Sequence, residues 1–331
     1  MKKSILVVIF IMLSVVDRSF AQADSIKNYL MDALKIMQEK SVNKAKIDWN
    51  AVQHKALTGI TGAKTLRDTY PVIKEALNAL NDSHSNFYEP EKVKAYTLGY
   101  RATGQTFPVI KSELKANKYA YINLPDIGSF NNDDWNEYVN EFYRQVNLLH
   151  QQKPKGWIID LRENFGGMLY PMYAAVAPFL DKANAVGIKD AEGKIEYFNY
   201  RNDKFYEGKK ASQYFIIREK QPKRIKKPVA ILVSKQTGSS AEFITAAFVG
   251  QKRVTIIGEN TQGLTSGNQE YKLADGAFIA LSIGNTVNRE GKEYAKVGEG
   301  IVPNIMIKKS TDKNKINQAY LSAAYQYIEK K

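Results

Sequence analysis

The chain has 331 residues, no cysteine and three histidines, which excludes thiol nucleophiles, disulfides and cysteine-ligated metals and leaves few ligands for a zinc site. Its formal charge is +14, a balance that favours anionic surfaces such as envelope lipid; no nucleic-acid motif accompanies it, so nucleic acid is not expected as a partner. Neither H-E-x-x-H nor a G-x-x-x-x-G-K-(S/T) phosphate loop occurs, and the G-x-S-x-G elbow is not matched.

Residues 1–23 read as a secretory signal peptide: a basic start at Met1-Lys2-Lys3, an apolar run from Ile5 to Val16, and small residues up to cleavage after Ala21 or Ala23. The run is shorter than the about 20 residues a spanning helix needs, which points to the periplasm or the exterior of a bacterium. Cleavage removes Lys2, Lys3 and Arg18 against Asp17, leaving about +12. Over 24–88, helical periodicity predicts a helical subdomain with helices at Ser25 to Lys40, Trp49 to Leu57 and Leu66 to Leu80. From Tyr119 strands and helices alternate: Tyr119 to Leu124, Trp135 to His150, Trp157 to Leu161, Tyr170 to Leu180, Val229 to Val233, Ala241 to Val249, Val254 to Ile257. Such alternation predicts a parallel α/β core, here within 89–331. Glu270 to Tyr294 reads as antiparallel strands and Lys313 to Glu329 as a final helix. The basic stretch Arg218 to Lys227 reads as a solvated loop that can also draw acidic peptide tails.

Two strand-to-helix junctions carry the chemistry. Thr237-Gly238-Ser239-Ser240-Ala241-Glu242 follows one apolar strand and opens an apolar helix. Ser239 there is a candidate nucleophile beside the free N–H groups of a helix start, or the first member of a capping box closed by Glu242. Asp160-Leu161-Arg162-Glu163-Asn164-Phe165-Gly166-Gly167 ends a second strand. In a parallel sheet both turns face the crevice beyond the carboxyl ends of the strands, although a glycine pair also serves simply as a sharp turn. Of the histidines, His54 and His150 fall on helices, whereas His84 sits in the polar loop Asn81 to Phe87, where functional side chains are often presented.

These segments, with Gly258 to Gly263 (G-E-x-T-x-G) and Gly300 to Asn304 (G-I-x-P-N), resemble the C-terminal processing, or tail-specific, serine peptidases over nearly all of the mature chain. Many members pair the serine with a lysine 25 residues later; here that place holds Leu264. The His84 loop instead resembles the nisin-resistance-type branch, which looks like a group of Ser–His enzymes. The resemblance implies a ClpP/crotonase-like α/β core with mixed sheet, and an exported peptidase that acts near peptide C-termini through an acyl-enzyme without cofactor or metal. It implies Ser239 as nucleophile, with Ser240 as its rival, and His84 as general base. Glu299, ahead of Asp82, would orient the histidine, and the N–H of Ser240 with that of Gly166 or Gly167 would form an oxyanion hole. Glu242 and the Asp160–Arg162 pair read as structural braces. Only 31 residues separate Phe87 from Tyr119, too few for a PDZ domain of ordinary small-domain size, so segments near 89–118 and 186–224 are expected to form a small cap. The competing reading is a non-catalytic relative that binds peptides or apolar ligands in the same cleft.

Overall fold

The structure is a computed structural model that describes residues 22–331. The signal-peptide reading therefore lies outside the described residues, apart from Gln22 and Ala23. The described chain divides into two compact units, one formed by the residues through Val93 with Asn268–Ile283, the other by Lys94–Gly267 with Gly284–Lys331.

In the first unit, α1 (22–40), α2 (Trp49–Gly59) and α3 (Tyr70–Asn78) precede a short strand, β1 (Asn86–Tyr88). The Asp48 carboxylate caps α2 by accepting the Ala51 N–H. The third helix starts later than its periodicity suggests, because Leu66–Thr69 is a 3-10 turn and Pro71 stands in the first α-turn, where its missing N–H is tolerated. Leu30, Ala33, Met37, Ile73 and Leu77 bury their apolar faces against Ile279 and Leu281 of strand Phe278–Asn288, whose first residues pair antiparallel with β1. The hydroxyls of Tyr29 and Tyr70 both donate to Asp275, fixing the turn before that strand to the helices.

After α4 (Pro90–Leu98), the second unit is a layered α/β domain. Its main sheet contains β2 (Ser112–Lys115), β3 (Tyr119–Asn123), β4 (Gly156–Asp160), β9 (Val229–Val233), β10 (Val254–Gly258) and β14 (Ile305–Met306), in the order β14-β10-β9-β4-β3-β2. All pair in parallel except β2, which is antiparallel to β3. Helices on both faces explain why β9, and β4 as far as Ile159, are apolar. Trp157, Ile159, Val229, Ile231 and Val233 face α5 (Asn132–Gln151), α6 (Leu169–Val176) and α7 (Ser240–Phe248). Ile158, Ala230 and Leu232 alternate to the other side, where they meet Tyr320, Ala324 and Ile328 of α8 (Lys313–Glu329). The helix expected to reach Leu180 ends at Val176 and continues as a 3-10 turn, since Pro178 cannot donate into the α ladder.

Between α6 and β9 the chain forms an antiparallel meander, β5 (Val186–Asp190), β6 (Ile195–Arg201), β7 (Lys204–Glu207) and β8 (Lys210–Tyr214). Strand β11 (Ser266–Lys272) leads into β12 (Phe278–Asn288), whose last five residues pair with β5, and β13 (Glu293–Tyr294) folds back on its end. Among the described residues no helix is long and apolar enough to cross a membrane.

Candidate active site

Ser239 stands between β9 and α7 with φ +50° and ψ −122°, a backbone conformation that L-residues avoid. Such a residue costs on the order of 1–3 kcal/mol and persists only where its surroundings over-determine it. Here they do. Thr237, wholly buried, donates its hydroxyl to the Leu161 carbonyl at 2.8 Å and accepts the Ser234 N–H at 2.9 Å. Gly238 donates its N–H to the Asn164 carbonyl at 3.1 Å. On the far side the Glu242 carboxylate accepts the Ser239 N–H at 3.1 Å.

That carboxylate is fully buried and has four donors: besides Ser239, the N–H groups of Gly263 (2.8 Å) and Leu264 (2.7 Å), and the Thr261 hydroxyl. Burial raises its pKa above the ordinary carboxylate value, opposed by those hydrogen bonds. Glu242 is thus the brace the capping spacing suggests, and it also gathers the segment that contains Leu264. The Asp160–Arg162 brace is equally direct: Nε of Arg162 donates to Oδ1 at 2.9 Å and Nη2 to Oδ2 at 2.6 Å, while the Tyr121 hydroxyl donates to the same carboxylate.

Gly166 and Gly167 have φ of +115° and +97°. A Cβ at Gly166 would stand 2.7 Å from the Ser239 Cβ, and one at Gly167 2.3 Å from the Ile127 carbonyl oxygen, so glycine is required by both conformation and space. The glycine turn therefore lies directly against Ser239. Gly166 donates its N–H to Oδ1 of Asn164 at 2.8 Å. By contrast, the N–H groups of Gly167 and of Ser240, the first residue of α7, have no acceptor among the described residues. The Ser240 hydroxyl donates to the Gly167 carbonyl at 2.6 Å and is almost wholly buried.

Glu299 lies on an exposed turn, its carboxylate 3.9 Å from the Lys296 ammonium. The same loop bonds to Gly263 through the Gly298 N–H, which connects it to the segment Glu242 holds. His84 belongs to the first unit, half-buried in the loop between α3 and β1. Asp82 accepts the His84 and Ser85 N–H groups at 2.9 and 2.7 Å and the Ser85 hydroxyl at 2.6 Å, so its carboxylate shapes the loop backbone. Asn268 fixes the other side by donating to the His84 carbonyl at 3.0 Å. His54 and His150 are exposed on α2 and α5. Among the described residues no group of histidines and carboxylates could hold a metal.

Within the second unit, then, Ser239, Ser240, Gly166 and Gly167 come together at the carboxyl ends of β4 and β9. A hydroxyl raised on a strained turn beside two unengaged N–H groups has the parts needed for addition to a carbonyl whose oxygen turns negative. In the sequence Asn164 is read only as the N of the D-L-R-x-N-x-G-G turn, without a role of its own.

A family model described as Peptidase family S41 matches residues 118–307. The nisin-resistance protein of Lactococcus lactis subsp. lactis is 26% identical over 269 residues, 81% of this chain and 80% of that protein. The carboxy-terminal processing protease CtpA of Bacillus subtilis (strain 168) is 27% identical over 202 residues, which is 60% of this chain but only 38% of that protein. Among solved structures, a lipoprotein from Streptococcus agalactiae superposes with a TM-score of 0.70 at 22% identity, over 90% of this chain and 96% of that one. The photosystem II D1 C-terminal processing protease does so with a TM-score of 0.56 at 16% identity, over 86% and 93%. These two likenesses speak for the fold.

Proposed function

This chain belongs to peptidase family S41, and from that premise we propose that it is an exported serine peptidase that cleaves peptides near their C-termini, with Ser239 as nucleophile and His84 as general base. The observation that carries the reading is the strained Ser239 turn packed on the glycine pair, with the N–H groups of Ser240 and Gly167 left without acceptors.

In this mechanism the Ser239 hydroxyl adds to the scissile carbonyl while His84 takes its proton. The tetrahedral oxyanion accepts hydrogen bonds from Ser240 and Gly167; Gly166 is the poorer candidate because Asn164 already occupies its N–H. His84 then returns the proton to the leaving amine, and water hydrolyses the acyl-enzyme by the reverse sequence. Engagement of the Ser240 hydroxyl with Gly167 favours Ser239 over its neighbour. Glu299 is retained as the orienting acid on the strength of its motif position, and Lys-rich surface charge as the attraction to acidic tails or an anionic envelope. Export rests on the residue pattern at the N-terminus.

Leu264, in the place of a dyad lysine, favours one rival: a relative that binds peptides without cutting them. Mass spectrometry of a diverse peptide mixture that includes nisin, incubated with the parent and with Ser239→Ala, Ser240→Ala and His84→Ala, separates the two. Cleavage lost in Ser239→Ala and His84→Ala but kept in Ser240→Ala supports the proposal. Absence of cleavage by folded parent, with peptide retained on it, supports the rival.

A further inference from the structure

We infer that Asn164 is the positioning residue of this site, the side chain through which the end of β3 sets the backbone donor that faces the reacting oxygen; the inference rests on the peptidase reading. Asn164 is 1% exposed. Its Oδ1 accepts the Gly166 N–H at 2.8 Å, its Nδ2 donates to the Leu124 carbonyl at 2.8 Å, and its own carbonyl accepts the Gly238 N–H at 3.1 Å. One residue therefore joins three pieces of chain: the glycine turn, the segment leaving β3, and the turn that carries Ser239. Its Nδ2 also lies 3.2 Å from Sδ of Met172 in α6, which closes the fourth side.

The choice of bonds matters more than their number. Two successive glycines at positive φ have no Cβ to resist rotation, so the peptide planes of Gly166 and Gly167 need an external anchor. Asn164 supplies it and at the same time engages the N–H that would otherwise compete with Gly167. The bond from Gly238 ties the nucleophile turn to that anchor, so hydroxyl and donor are set by one residue. Alanine keeps none of the side-chain bonds. Aspartate has the same shape and keeps the acceptor for Gly166, but places an oxygen against the Leu124 carbonyl.

The test uses Asn164→Ala and Asn164→Asp in the full chain, a peptide that the parent cleaves, the product peptide, and an aldehyde of the same sequence whose hemiacetal oxygen takes the oxyanion position. In Asn164→Ala, kcat is expected to fall on the order of a hundredfold, with KM within about twofold. Inhibition by the aldehyde weakens in step while product binding does not, and Asn164→Asp shows a smaller loss. Amide hydrogen exchange at Gly166 becomes faster in Asn164→Ala, while Gly238, bonded to the main-chain carbonyl that alanine keeps, is the internal reference. A folded Asn164→Ala that keeps kcat and aldehyde inhibition overturns the proposal; should alanine prevent folding, the same result in the isosteric aspartate variant overturns it. If the parent cleaves nothing, the peptidase reading falls, and exchange alone decides Asn164: acceleration at Gly166 keeps its side chain as the holder of the glycine turn, and an unchanged rate removes it.

Discussion

The turn at Ser239 and the hairpin turn at Asn202-Asp203 both place non-glycine residues at positive φ, +50° for Ser239 and +50° and +55° for the pair. They do so for opposite reasons. Asn and Asp tolerate the left-handed region and suit the tight turn that joins β6 to β7, so the hairpin conformation follows from its own residues. Serine has no such preference, and ψ at Ser239 leaves the left-handed basin altogether. Its conformation is imposed by buried partners, chiefly Thr237, Asn164 and Glu242. Where strain is imposed rather than preferred, the surrounding residues reveal what the position is for.

The comparison can be broken most sharply by exchanging both residues for glycine. Ser239→Gly should abolish peptide cleavage, a loss of at least about 10³-fold, while raising stability by about 1 kcal/mol through relief of strain. Asn202→Gly should leave cleavage intact and shift the denaturation midpoint by the equivalent of less than about 0.5 kcal/mol. Equal stability responses at the two sites would mean that Ser239 is not strained by its surroundings.

Next in size is Glu242→Gln, which turns a carboxylate oxygen into an NH₂ donor facing other donors and should destabilise the fold by about 2–3 kcal/mol in chemical denaturation. The sign of its pH dependence follows from burial. A carboxyl raised in the folded state contributes fully below the unfolded value near about 4.3, and its contribution is lost as pH rises through the raised folded value. The stability difference between parent and variant should therefore be largest at the acid end and level off above that window. Smaller again is Glu299→Gln: loss of an exposed orienting carboxylate should lower cleavage by about tenfold, and unchanged cleavage removes Glu299 from that role. Tyr214→Ser, at a residue 60% exposed on β8, should change stability by no more than about 0.5 kcal/mol and marks the lower bound of the series.

The same contrast explains what could be read before the structure. The strands β4 and β9 are buried on both faces, so β9 and β4 as far as Ile159 are uninterrupted apolar runs, legible without context. The strands β6 to β8 mix Lys, Glu, Asn and Gln with Tyr and Phe over four to seven residues, a pattern that neither strict alternation nor an apolar run captures, and the sequence reading treated them only as a cap segment. Pro71 and Pro178 were visible, yet the periodicity around them reads through; the backbone rule needed more weight than the apolar spacing. Within the site, Ser239, the glycine pair and the Glu242 brace have side-chain or spacing signatures. The part of Asn164 has none, because two of its three anchoring bonds end on peptide groups of a glycine, and main-chain donors look alike in any sequence.

One further consequence lies on the reverse of the sheet. Helix α8 covers Ile158, Ala230 and Leu232, and its Tyr320 hydroxyl donates to the carbonyl of Val233, the last residue of the strand that leads to Ser239. Synthesis runs from N- to C-terminus, so this cover is made after every strand of the sheet it closes. Until it arrives, the strand beneath the nucleophile turn shows water an apolar back and lacks one of its anchors. The seating of α8 is thereby coupled to the seating of the turn on the opposite face of the sheet.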